Sequence, residues 1–276
     1  MAATFVVVPQ WQGSGSSRAM RLVDGADAIR GDLPSAATRV VDIPLEAGDD
    51  QGSAVHRLSS IVLVRDRLAE VLTTVTGPAI AIGGDCGIEL AAIGRVLGDS
   101  VAVVWLDAHP DLNTPASSGS GAFHGMVLRT LIGDGHELLV PPVSLPVERL
   151  VLAGVRAADD AEDAYLAASG IRSLGVDDVS GESLIAAVEA TGASSVYLHI
   201  DLDVLDPGDF SGLGFPEPFG IGASTLVESI KTLLARYPLA GAGITEFAPT
   251  SVHAALEDMP TILRIIGALS ASSARR

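Results

Sequence analysis

The sequence predicts an α/β fold: a three-layer sandwich in which helices cover both faces of a central, mostly parallel sheet. Short apolar runs alternate with amphipathic helical stretches along the whole chain, and some of those runs are apolar at every position. Alternation of this kind calls for crossover connections and hence parallel strands. A run with no polar face suits a strand covered on both sides. Acidic clusters stand directly after two of these runs, where open parallel sheets build their sites.

The elements follow in order. Phe5 to Val8 and Arg39 to Ile43 are strands. His56 to Val75 is a helix, because Ile61, Val62, Val64, Leu68, Val71 and Leu72 share one helical face. Pro78 to Ile82 is a strand that runs into Gly83-Gly84, and Ile88 to Leu97 is a short helix. Val101 to Leu106 is a wholly apolar strand. In the second half, Leu150 to Leu152, Ile171 to Leu174, Ser195 to Ile200 and Gly241 to Thr245 read as strands. Asp159 to Ala168, Ser183 to Ala190, Ala223 to Arg236 and Thr261 to Leu269 read as helices. Gly13 to Ser17 and Pro115 to Ala122 are small-residue loops inside the pattern. No repeat or linker divides the chain, so residues 1–276 are expected to form one catalytic domain.

Composition narrows the function. Hydrophobic residues make up 48% of the chain, enough for a large core. The net charge of -17 argues against nucleic acid and anionic membranes, yet it would attract a cationic small substrate. Cys86 is the single cysteine, so no intrachain disulfide can form. The N-terminus has no basic stretch followed by an apolar run, and no segment has the length of a membrane helix. A cytoplasmic location is the expectation.

Two clusters carry the chemistry. Trp105-Leu-Asp107-Ala-His109-Pro-Asp111 follows the strand from Val101, and His199-Ile-Asp201-Leu-Asp203-Val-Leu-Asp206-Pro207 follows the strand from Ser195. In each, ligand-type side chains fall at i and i+2, which strand periodicity puts on one face. A single Asp-x-Asp at a strand end is ordinarily a cap or turn. Two clusters with five ligand-type side chains are tolerable only with cations among them. Asp206, before Pro207, reads as a turn residue.

This pair of clusters resembles the signature motifs of the arginase (ureohydrolase) family. The stretch from Asn113 through Ser120 to His124-Gly125 resembles the family's substrate loop, and Val155-Arg156-Ala-Ala-Asp159 resembles a segment near the substrate amino group. Thr245-Glu246-Phe-Ala-Pro249 resembles the late strand end that binds the guanidine, and Val23 to Arg30 is similar to an early turn and helix. The resemblance implies an arginase-like fold and two manganese ions. Cys86, Asp107, Asp111 and Asp201 would hold one, and Asp107, His109, Asp201 and Asp203 the other. It further implies that Asp111 accepts the proton of the attacking water, His124 shuttles a proton and Glu246 binds the guanidine head. Asn113 and Ser120 would hold an α-carboxylate and Asp159 an α-amino group. A homo-oligomer is compatible with it.

Cysteine stands where the family has a histidine, in Gly83-Gly84-Asp85-Cys86-Gly87. Three readings stay open: a thiolate ligand, a small buried residue at a lost site, or a weakly held or missing ion. A thiolate would also admit iron, cobalt or zinc. His199 is either a partner orienting a ligand carboxylate or a hydrogen-bonded core histidine. His56, His136 and His253 carry no motif and read as surface or loop residues. Ser117 and Ser118 add donors in the substrate loop, or serve only its turns.

The implied substrate is a small guanidine or hydroxyguanidine amino acid. The cysteine swap is similar to the branch of the family that cleaves Nω-hydroxy-L-arginine to hydroxyurea and L-ornithine in D-cycloserine (antibiotic) biosynthesis. Arginase, agmatinase or formiminoglutamase activity is the alternative, and a catalytically silent arginase-like subunit is the alternative of another class. No phosphate-binding Gly-x-x-x-x-Gly-Lys loop and no Gly-x-Ser-x-Gly elbow occurs.

Overall fold

A computed structural model describes residues 3–98 and 100–273, with side chains to residue 271. Eight strands form one sheet: β1 (Thr4–Val7), β2 (Thr38–Val40), β3 (Ala79–Ile82), β4 (Val101–Leu106), β5 (Leu150–Ala153), β6 (Arg172–Leu174), β7 (Ser195–Asp201) and β8 (Leu239–Thr245). Their order is β2-β1-β3-β8-β7-β4-β5-β6. Every pairing is parallel, so the sheet goes beyond the mostly parallel one expected.

Eight helices cover the sheet: α1 (Arg21–Gly31), α2 (Leu58–Thr73), α3 (Glu89–Gly94), α4 (Val127–Ile132), α5 (Asp160–Ser169), α6 (Gly181–Glu189), α7 (Ala223–Arg236) and α8 (Val252–Ser273). Strand alternation divides the core in two. Val104, Leu198 and Ile200 point to the face packed by α1, α6, α7 and α8. Val103, Trp105 and Tyr197 point to the face packed by α2, α3 and α4. Three layers result, and β4 is buried along its whole length as its apolar sequence requires.

Two helices differ from expectation. α4 was not anticipated, because Val127–Ile132 is too short to show a period. α8 begins at Val252 and continues through Pro260, where a helix starting at Thr261 was expected. Proline removes one backbone donor, and its i−4 partner belongs to Leu256, which is 65% exposed. That exposed position leaves the carbonyl open to solvent, and the helix continues through the proline. No helix among the described residues is long and apolar enough to cross a membrane.

β3, β8, β7 and β4 are four neighbouring strands at the sheet centre. Leu106 pairs with Ile200 and Asp201 with Thr245, so the C-terminal ends of β4, β7 and β8 stand level. This places Cys86, Glu246, Asp201 and Asp107 side by side at one edge of the sheet.

Candidate metal centre

The loop after β3 is shaped by Gly83 and Gly84, both at positive φ. A Cβ at Gly83 would meet Ala26 at 2.5 Å, and one at Gly84 would meet the Val8 carbonyl at 2.5 Å. Asp85 then fixes the turn: it accepts from Gln10 Nε2 at 2.7 Å, Gly13 N at 2.8 Å and Gly87 N at 2.9 Å. Burial pushes its carboxyl up to about 6 despite these donors. Cys86, 1% exposed, is thereby aimed at β7, and its thiol donates to Asp201 Oδ2 at 3.1 Å.

Asp107 follows β4 with no exposed surface. Its Oδ1 accepts from the His109 amide at 2.7 Å, and its Oδ2 accepts from Trp105 Nε1 at 2.9 Å. On β7, Asp201 Oδ1 accepts from Asp203 N at 2.8 Å, and Asp203 Oδ1 accepts from Ala108 N at 3.0 Å. Asp203 Oδ2 lies 2.9 Å from His109 Nδ1. The local bonds turn each acidic side chain to the same cleft.

Two groups of potential ligand atoms emerge, each confined within 4.8 Å. One comprises Cys86, Asp107, His199 and Asp201, and is wholly buried. The other comprises Asp107, His109 and Asp203, and opens through His109, whose side chain is 30% exposed. Asp107 belongs to both. Asp111, expected as a ligand, lies outside both groups; it is buried beside them, and its Oδ2 has no hydrogen-bond partner. His199, with two readings open, falls into the first group.

The electrostatics call for cations. Burial, then the negative charge of Asp107, pushes Asp111 well above the ordinary carboxylate range; burial and Asp203 do the same for Asp201. Burial raises Asp203 to about 6 and Glu246 well up. Burial opposes a charge on His109, but Asp107 and Asp203 overcome it and push the imidazole up to about 12. Burial would also raise Asp107, yet His109 and His199 outweigh it and hold the group low. Glu246 Oε2, Asp111 Oδ2 and His199 Nε2 are buried without hydrogen-bond partners. Several carboxylates and a thiol share this water-poor space, a donor set that fits two divalent ions.

The remaining expected residues lie on the loops after β4, β7 and β8 and at the start of α5. Glu246, at the end of β8, has φ +64, and Asp111 has φ +52. Non-glycine residues in this region cost about 1–3 kcal/mol each and gather at functional sites. His124 Nδ1 is 3.6 Å from Glu246 Oε1, and its ring tilts against Phe215 at 5.0 Å. Burial, then the charge on His109, pushes His124 down to about 4, below the near-neutral imidazole expected of a shuttle. Asn113 Nδ2 donates to Asp159 Oδ2 at 2.7 Å. Asp159 also caps α5, accepting from Ala161 N and Glu162 N. Ser120 Oγ accepts from Ala122 N at 3.2 Å on the exposed loop, and Ser117 Oγ donates to Asn113 Oδ1 at 2.7 Å. Asp206 accepts from Gly208 N and Gly220 N, the turn role expected.

Sequence reasoning missed four contributors. Glu162 accepts from Leu112 N at 3.0 Å and ties α5 to the metal loop; its place three residues after Asp159 is a capping-box signal that could have marked it. Arg156 donates to the carbonyls of Asp203 and Glu217, both at 2.8 Å, pinning the β7 loop to the cleft wall. Glu89 and Tyr197 stand behind the ligands and bond to each other, with no local signal to betray them. Two cavities of about 630 and 650 Å³ lie against α2/α3 and α1/α8 and include none of these residues.

Comparison with known proteins bears on the family and the fold. A model of the Arginase family matches residues 17–262. The arginase of Bacillus subtilis is 34% identical over 185 residues, 60% of this chain and 61% of that protein, so the matched stretch spans less than two thirds of that relative. The arginase of Bacillus caldovelox is 31% identical over 207 residues, 68% of each chain. The crystal structure of Entamoeba histolytica arginase in complex with L-ornithine superposes with a TM-score of 0.85 at 24% identity, covering 97% of each chain. By the family match and the sequence likeness, this chain belongs to the arginase family.

Proposed function

We propose that this chain is a binuclear-metal amidinohydrolase that cleaves Nω-hydroxy-L-arginine to hydroxyurea and L-ornithine. Arginase-family members are amidinohydrolases dependent on two metal ions. The reading rests on Asp107, the one carboxylate common to two tight ligand groups. Two manganese ions would be held by Cys86, Asp107, Asp111, Asp201, His109 and Asp203, an oxygen-rich set suited to a hard ion. Bound there, they supply an acidified water and a positive field over the reacting carbon.

The chain's own side chains do the rest. Glu246 receives hydrogen bonds from the guanidine head, charge-assisted when the head is cationic. Asp111, with an unpartnered Oδ2, takes the proton of the attacking water. The water oxygen bonds to the guanidine carbon, and the bond from that carbon to the side-chain nitrogen breaks. His124, held neutral and 3.6 Å from Glu246, relays a proton to the departing amine. Asn113 and Ser120 hold the α-carboxylate and Asp159 the α-amino group; Ser120 and Asp159 are exposed and Asn113 is buried.

Cys86 bears on the substrate. A coordinating thiol loses its proton and brings a negative charge that a histidine would not. That charge weakens the ion's acidifying power. An N-hydroxyl lowers the basicity of a guanidine, so the substrate arrives less protonated and more electrophilic and needs less activation. Arginine hydrolysis is the second reading, favoured by the arginase relatives. Incubation with each substrate separates them: hydroxyurea release from hydroxyarginine should exceed urea release from arginine, and the reverse order sinks the assignment. A chain that binds no metal would instead be a silent subunit.

A further inference from the structure

Glu89 and Tyr197 stand behind the sealed ligand group and join its His199 in a polar trio that the chemistry above does not use. Glu89, Tyr197 and His199 are each at most 1% exposed. One Glu89 oxygen accepts from the Tyr197 hydroxyl, and the other lies 2.8 Å from His199 Nδ1. Gly243 on β8 makes the room: a Cβ there would sit 1.8 Å from Glu89 Oε1. The His199 ring stacks on Trp105 with centroids 3.6 Å apart and planes at 22°. Its Nε2 has no hydrogen-bond partner and faces Asp107 Oδ2 at 3.5 Å. That same oxygen accepts from Trp105 Nε1.

Burying a carboxylate, an imidazole and a phenol costs several kcal/mol against apolar side chains of the same shape. Apolar residues would fill this space and stabilise the fold at least as well. The polar groups therefore have work beyond packing, and the His199 ring against Asp107 carries them toward the cleft. A carboxylate shared by two ions must hold one torsion, and Asp107 is walled on Oδ2 by Trp105 and His199.

We propose that Glu89 and His199 are positioning residues for Asp107: Glu89 fixes the ring, and the ring fixes the carboxylate that both ligand groups share. The proposal rests on the two-ion reading and deepens it. Outer partners of this kind alter metal affinity by about 10–100-fold.

The test is a triple variant, Glu89→Leu with Tyr197→Phe and His199→Phe, which removes every polar atom of the trio and keeps the ring stack. Manganese per chain is measured by elemental analysis after dialysis at graded free manganese. Electron paramagnetic resonance reports whether two ions are spin-coupled, and thermal melting of metal-stripped protein reports the fold. The stripped triple variant is expected to melt no lower than the parent, yet to bind manganese about 10–100-fold more weakly and to lose spin coupling. Stability and metal binding would then move apart, as a packing role cannot make them do. Should the triple variant fail to fold, the near-isosteric Glu89→Gln makes the same comparison, with a smaller loss expected. Unchanged affinity and coupling in a folded variant overturn the proposal. A parent chain that never takes up two ions overturns the two-ion reading and the proposal together.

Discussion

The two ligand groups share Asp107 but differ in their surroundings. The Cys86, Asp107, His199 and Asp201 group is sealed, whereas the Asp107, His109 and Asp203 group opens through half-buried His109. The sealed group carries two carboxylates and a thiol where water cannot screen them, so its field on a cation is strong. The open group faces Glu217, 4.0 Å from His109 Nε2, and the cleft where a substrate would enter. One side of the centre is closed to solvent and the other is open to it.

The strongest way to break that contrast is to remove what the sides share. Asp107→Asn should abolish activity and empty both positions, read as manganese per chain falling from two toward zero. Retention of both ions would show that the groups do not depend on one carboxylate. His124→Ala touches neither ligand group. Its expected effect is a fall in kcat of about 10²–10⁴-fold with manganese content unchanged, since His124 belongs to neither ligand group. A loss of metal in that variant would contradict its proton-relay role.

Cys86→His acts on the sealed side alone. Two ions should remain, and activity on arginine should rise relative to hydroxyarginine, because a neutral imidazole leaves its ion more acidic than a thiolate does. An unfolded product would instead mark Cys86 as a packing residue.

Much of this was legible in the sequence because it is local. The wholly apolar run of β4 follows from burial on both faces, but Asp107, His109 and Asp203 lie just past the ends of β4 and β7, where local turn bonds and not strand alternation aim them. The sealed side was less legible. Whether Cys86 faces the site depends on Gly83, Gly84 and the Asp85 turn together. His199 could not be read without its partner, because Glu89 lies 110 residues away on a short helix. A buried polar network is a product of tertiary packing, and neither end announces the other. The start of α8 differs for another reason: Pro260 removes one backbone bond, and the helix from Val252 runs on through it.

Metal-free stability offers a gentler probe of the crowded charge. Burial raises Asp203 from 3.8 in the unfolded chain to about 6 in the folded one. The folded state therefore keeps the proton to higher pH, and stability from this group falls as pH rises through about 4 to 6. The ceiling on that loss is about 3 kcal/mol. Asp203→Asn, which mimics the protonated acid, should raise the melting temperature of metal-stripped protein above pH 6 and leave it unchanged below pH 4. Manganese should restore the wild-type chain above pH 6 and do little for the variant. Equal melting of the two stripped proteins at every pH would mean that Asp203 is not under the strain its burial implies.

The smallest expected effect lies farthest from the sealed group. Asp159 caps α5 and also bonds to Asn113 at the rim. Burial would raise its carboxyl slightly, but the Asn113 donor and two backbone amides outweigh it and hold the group low, so it is anionic at working pH. Asparagine caps helices as well as aspartate does, so Asp159→Asn separates the two roles. The melting temperature should hold while KM for an amino-acid substrate rises roughly fivefold, the equivalent of about 1 kcal/mol for an exposed charge pair. Because the substrate amino group sits far from the reacting carbon, kcat should not change. A fall in kcat with KM untouched would place Asp159 in the chemistry and not at the rim. A drop in melting temperature with normal kinetics would leave it only the cap.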